Sequence, residues 1–191
     1  MCDIFRHAVK SAESPRDRVV ILVHCILNQA TRARWEGGGA TRTEGAVEEI
    51  VTPLLEHGIG IIQMECPEQT LYGNPRPPKS RDDYDTPEFK EKCREIAVRA
   101  MQTIEKSTEL IVALGFEGSP SCGVERTTRT IKGSHAESPG EGHLIEALRT
   151  EMKEKGLDTP IIGVGLREGE MNLALRKLES LLRGRPSNID T

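Results

Sequence analysis

The chain has 191 residues and a formal net charge of −4, with 36% hydrophobic and 29% charged residues. That length suits one domain with a sizeable core, and the acidic balance excludes the overall basic surplus of a dedicated nucleic-acid binder. No apolar stretch approaches the roughly 20 residues of a membrane helix, and the start Met1-Cys2-Asp3-Ile4-Phe5-Arg6 lacks the apolar core of a secretory signal, so a cytoplasmic location is expected.

In chain order, residues 1–17 read as a charged N-terminal arm and 18–25 as the first strand, Val19-Val20-Ile21-Leu22-Val23 leading to His24-Cys25. Residues 26–42 form a long loop with Arg32, Arg34, Trp35 and Gly37-Gly38-Gly39, suited to bringing amides and cations to an anion or heterocycle. A helix is expected from about 43 to 57, ended by Gly58, and a second strand over 59–64 before Cys66. Residues 67–85, rich in proline and charge, read as a structureless connection. Thr86-Pro87-Glu88 opens a helix running to about Ser107, and the third strand is 109–114. After Cys122 a polar stretch reaches Gly142; a helix at about 142–155, a strand at 160–164 and a helix at about 168–183 follow, with 185–191 as a frayed tail. Short β-rich runs alternating with helices define an α/β fold: one doubly wound parallel sheet of four to five strands, order 2-1-3-4, with helices on both faces, over residues 18–184.

Three cysteines, Cys25, Cys66 and Cys122, stand at or just beyond the ends of three of these strands. Ligands in open parallel sheets bind outside the carboxyl ends of the strands, so three thiols meeting there point to a soft-metal or iron-sulfur site with one position unfilled by protein. Their wide spacings match no compact motif such as C-x-x-C, and free cysteine commonly just packs. Cys93, on a helix, reads as core and Cys2 as part of the arm; with five cysteines and no tight framework, no disulfide is expected. Ser119 and Ser121 could orient water or steady an oxyanion, and Glu65 and Glu68 could move a proton, although a plain turn and a solvated strand end explain the same residues. His24 is expected on the strand face opposite Cys25. There is no G-x-G-x-x-G after the first strand and no G-x-x-x-x-G-K, which disfavours nucleotide-cofactor dehydrogenases and Walker-type ATPases.

Across most of residues 18–166 the chain resembles the thiouracil desulfidases, closest to a divergent branch of them. The resemblance is carried by His24-Cys25-Ile26-Leu27-Asn28, by Glu65-Cys66-Pro67-Glu68 followed by Pro75-Arg76-Pro77-Pro78, and by Gly118-Ser119-Pro120-Ser121-Cys122-Gly123. It implies a 4Fe-4S cluster held by Cys25, Cys66 and Cys122 with one open iron, and a non-redox reaction in which water replaces the sulfur of a 2-thiouracil-like thiolated pyrimidine. It also implies Ser119 and Glu65 or Glu68 as the groups handling water and protons. Ser121, Arg32 and Arg34 are then candidate substrate contacts. The expected partner is a small thiolated base or nucleotide, ahead of thiolated RNA, bound by a monomer or small homo-oligomer without a membrane. Two rival readings are an iron-sulfur protein that carries sulfur to an acceptor, and a non-enzymatic α/β module binding a metal or nucleotide.

Overall fold

The structure, a computed structural model, describes residues 17–33, 45–104 and 108–184. The N-terminal arm with Cys2, the segment with Arg34, Trp35 and Gly37–Gly39, and the tail from 185 lie outside the described residues. Four parallel strands form the sheet in the order β2-β1-β3-β6: β1 (Arg18–Val23), β2 (Gly60–Met64), β3 (Glu109–Phe116) and β6 (Ile161–Val164). This is the doubly wound order expected from the alternation of apolar runs and helices. Val20 to Val23 of β1 and Val112 and Leu114 of β3 are essentially inaccessible to water, because helices cover both faces. Helices α2 (Glu48–Glu56) and α6 (Glu170–Leu182) pack together, and α4 (Pro87–Gln102) packs against α5 (His143–Glu154).

Four expectations need correction. The first strand stops at Val23, and His24–Leu27 form a helical turn, α1, so His24 and Cys25 do not alternate across a pleat. The helix expected from about 43 is described from Glu48, with Val47 donating its N–H to the Ile26 carbonyl at 2.7 Å. Residues 67–85 are not structureless: α3 spans Pro67–Tyr72, with Pro67 in the first turn and Gly73, at φ 73°, ending it where a side chain would be strained. The polar stretch after Cys122 contains an antiparallel hairpin, β4 (Arg126–Ile131) and β5 (Ser134–Pro139), outside the main sheet. By contrast, α4 begins as its sequence predicts, with Thr86 Oγ1 accepting the Phe89 N–H at 3.2 Å.

The start of α5 locks the turn that carries Cys122. Leu144 donates its N–H to the Ser121 carbonyl at 2.8 Å and Gly142 to that of Gly123 at 2.9 Å. A Cβ on Gly142 would stand 2.3 Å from the Ser121 carbonyl carbon. Overpacking against backbone costs about 1–3 kcal/mol, so Gly142→Ala is expected to lose stability by that amount, read as a lower urea midpoint at unchanged m-value; an unshifted midpoint would show that the turn can retreat.

Candidate active site

Strand register brings the first two cysteines together. Val23 of β1 lies beside Met64 of β2, and a cysteine follows two residues beyond each. Cys25 sits in α1, while Cys66 caps α3, its sulfur accepting the Gln69 N–H at 3.5 Å. Cys122 arrives by a different route: β3 runs on to Phe116, the chain turns, and the Phe116 N–H donates to the Cys122 carbonyl at 2.8 Å. The three are free thiols close enough to act on one another electrostatically, Cys66 on Cys25 and both on Cys122. Cys93 is a core residue of α4 with no exposed surface.

Cys25 faces a cavity of about 190 Å³ whose wall also includes Arg32, Glu68, Arg76, Phe116 and Ser119, with Lys79, Thr128 and Glu137 toward the hairpin. A larger hollow between α2 and α6 is lined by Val51, Leu55 and Leu175 with three glutamates and contains no sulfur. The two candidate glutamates separate clearly. Glu65 is exposed at the surface, its side chain 57% accessible and ion-paired with Arg99 at 3.1 Å. Glu68, in the first turn of α3, is 6% accessible and lines the cavity.

Glu68 is held by three neighbours. Ser121 Oγ donates to its Oε1 at 2.7 Å; Arg76 Nε and Tyr84 Oη donate to its Oε2 at 3.3 and 3.4 Å. A carboxylate can only accept, so the single Ser121 hydroxyl proton goes to Glu68 and the Ser119 hydroxyl, 3.3 Å away, donates to Ser121. Ser119 Oγ in turn accepts the Cys122 N–H at 3.0 Å. A directed line of hydrogen bonds therefore runs from cavity-lining Ser119 through buried Ser121 to Glu68. Ser121 also lies 3.3 Å from the Cys122 sulfur.

The cations divide in the same way. Arg32 stacks over the Phe116 ring at 4.2 Å and donates to Gln29 Oε1 at 3.1 Å, while the Gln29 amide donates to the Cys25 carbonyl. Lys79 lies over Tyr72 and Tyr84 at 4.6 and 5.5 Å. Arg81 does not line the cavity; its N–H donates to the carbonyl of cavity-lining Thr128 at 2.8 Å, and its side chain ties the Glu141 carbonyl to Glu146. His24 is engaged on both ring nitrogens, by Gln63 at 2.7 Å and Thr31 at 2.8 Å. The Gln63 amide donates to Nδ1, so Nε2 carries the ring proton and donates to Thr31; burial lowers the pKa of this ring. Sequence reasoning missed Tyr84 and Phe116 as site residues, since neither stands in a chemically suggestive pattern, and it quoted Arg76 within Pro75-Arg76-Pro77-Pro78 without giving it a role in the site.

Burial disfavours thiolate. It raises the Cys25 pKa to about 12, aided by the negative charges of Cys66 and Glu68 and opposed by Arg32 and Arg76. Cys66 is raised to about 11, by burial first and then Glu68, and Cys122 well above its ordinary value by burial and the other two sulfurs. Among the described residues, no three His, Cys, Asp or Glu side chains converge closely enough for a single metal ion. Three soft thiols with the cations Arg32 and Arg76 acting on them have the donor chemistry that an anionic iron-sulfur cluster would need.

These features define a parallel α/β domain with a sulfur-rich site at the carboxyl edge of its sheet. The chain belongs to the family described as "Putative 2-thiouracil desulfurase", whose profile matches residues 18–137. An uncharacterized protein of Methanocaldococcus jannaschii, MJ0003, is 28% identical over 169 residues, covering 87% of this chain and 97% of its own. A solved structure titled as the [4Fe-4S]-dependent thiouracil desulfidase TudS matches with a TM-score of 0.49 and 22% identity, covering 83% of this chain and 98% of the other.

In the metal-free protein the three thiols stay neutral while folded, whereas in the unfolded chain they ionise near the ordinary cysteine range. Their contribution to stability is complete below about pH 8.5 and declines as pH rises toward the folded values, by about 1.4 kcal/mol per pH unit for each thiol. Between pH 8 and 10 the urea midpoint of metal-free wild type is expected to fall more steeply than that of the Cys25→Ser/Cys66→Ser/Cys122→Ser variant. Parallel slopes would show that the thiols are not desolvated.

Proposed function

We propose that this protein is a hydrolytic desulfidase that replaces the sulfur of a 2-thiouracil-like thiolated pyrimidine with oxygen from water, releasing sulfide. The observation that carries the reading is the Ser119–Ser121–Glu68 hydrogen-bond line, which starts on the cavity wall that Cys25 also lines and ends at a carboxylate close enough to act electrostatically on all three thiols. Cys25, Cys66 and Cys122 would hold a 4Fe-4S cluster, which supplies a sulfur-seeking Lewis acid that polarises the thiocarbonyl.

The reaction exchanges C=S for C=O without changing any oxidation state. Water oxygen bonds to the ring carbon, the carbon–sulfur bond breaks, and sulfur leaves as hydrosulfide with one of the two water protons while the other passes to solvent. Glu68 lies on the cavity wall and accepts the proton of the attacking water at a carboxylate oxygen, directly or through Ser119 and Ser121. Arg76 and Tyr84 keep that carboxylate aimed, and the same line returns a proton to the departing sulfur. Ser119 can rotate its hydroxyl toward the cavity to steady the developing oxyanion. Phe116 and the guanidinium of Arg32 stacked on it offer a flat surface suited to a planar heterocycle.

Protein reconstituted anaerobically with iron and sulfide is expected to release sulfide from 2-thiouracil without an electron donor, and in ¹⁸O water the product uracil carries the label. Glu68→Gln should lower kcat by about 10²-fold or more, and Ser119→Ala by about 10-fold or more, at unchanged iron content. Glu65→Gln, on the outer surface, should leave kcat near wild type. Full activity in Glu68→Gln, or unlabelled uracil, would defeat this route.

A further inference from the structure

We infer that Arg76 is a positioning residue that fixes the Glu68 carboxylate and the Cys66 sulfur relative to each other through one rigid guanidinium. The inference rests on the cluster reading above. The Arg76 side chain is 3% accessible and every one of its nitrogens is engaged. Nε donates to Glu68 Oε2 at 3.3 Å, and Nη2 to Cys66 Sγ at 3.6 Å. Nη1 donates to the Thr31 carbonyl at 2.9 Å and to the Asn74 side-chain oxygen at 2.5 Å. Thr31 follows the first cysteine and Asn74 follows α3, so the group also ties together the loops beyond β1 and β2. A guanidinium committed in this way does not swing toward substrate; it transmits position.

The planar fork is what the geometry demands. Lysine keeps the charge but places it on one nitrogen, which cannot meet carboxylate, sulfur and carbonyl in one plane. Misplacing a proton acceptor by a fraction of an ångström to an ångström is costly in rate, on the order of 10–100-fold. An N–H donor and a positive charge beside a ligand sulfur also favour the more negative, reduced state of an iron-sulfur centre, so their loss moves its reduction potential downward.

The test compares Arg76→Lys, Glu68→Gln and the Glu68→Gln/Arg76→Gln pair with wild type, all reconstituted anaerobically with iron and sulfide. Iron content, cluster reduction potential, and kcat and KM for 2-thiouracil are measured. Arg76→Lys is expected to keep its iron, to lose about 10–100-fold in kcat with little change in KM, and to show a more negative potential. The double variant leaves no buried carboxylate without its cation and isolates the sulfur contact: its potential should lie below that of Glu68→Gln alone. Wild-type kcat and potential in iron-loaded Arg76→Lys, or equal potentials for Glu68→Gln and the double variant, would overturn the inference and leave the cluster reading standing. Wild-type protein that takes up no iron would overturn the cluster reading, and the inference would fall with it.

Discussion

The site depends on how one buried carboxylate is held. A carboxylate removed from water is costly unless it is paired and hydrogen-bonded, and Glu68 meets that requirement with donors from three separate segments: Arg76 beyond α3, Tyr84 ahead of α4 and Ser121 beyond β3. Each donor therefore constrains a different loop, and the carboxylate becomes the point at which the loops at this edge agree. Such a pair adds little net stability compared with apolar packing, but breaking it leaves an uncompensated charge. The arrangement is better understood as specifying the geometry of the loops than as supporting the fold.

The fold supports itself by other means. The two central strands are covered on both faces, and β1 and β3 contribute side chains with almost no contact with water. The aromatic group below Glu68 extends this dry interior to the site, with Tyr84 stacked on Phe89 at 4.3 Å. Tyr84 is thus anchored as a hydrophobic residue and used as a polar one, the division for which its ring and hydroxyl suit it. Burial and the neighbouring Glu68 charge raise its pKa, which keeps the phenol protonated as a donor.

Much of this was legible in the sequence, for identifiable reasons. Apolar runs such as Val19–Val23 and Leu110–Leu114 announce buried parallel strands, and parallel strands must end on a common edge, so the three cysteines that follow them could be placed together without coordinates. Periodicity ends where the strands end, however. Beyond Val23 and Met64 the backbone turns helical, and which of Glu65 and Glu68 faces inward depends on the first turn of α3, which a proline-rich stretch disguised. The hairpin escaped for another reason. Five of the six residues of β4 are threonine or arginine and β5 is largely exposed, so no apolar run marks them. The only local sign was Lys132-Gly133, whose φ values of 51° and 78° make the two-residue turn that joins them.

The hairpin gives the cavity two kinds of wall. The floor, with Cys25 and Glu68, is built from loops at the edge of the parallel sheet, whereas Thr128 and Glu137 come from a ribbon fastened to that edge at its base, where Thr127 Oγ1 donates to the Ser119 carbonyl at 3.1 Å and Thr128 Oγ1 to that of Gly118 at 2.7 Å. The exposed tip around Lys132-Gly133 can vary in length and charge without disturbing strand register beneath it. Admission and reactivity are therefore only partly separable: the outer end of the ribbon can be edited alone, whereas any change at Thr127 or Thr128 also moves the turn that carries Ser119.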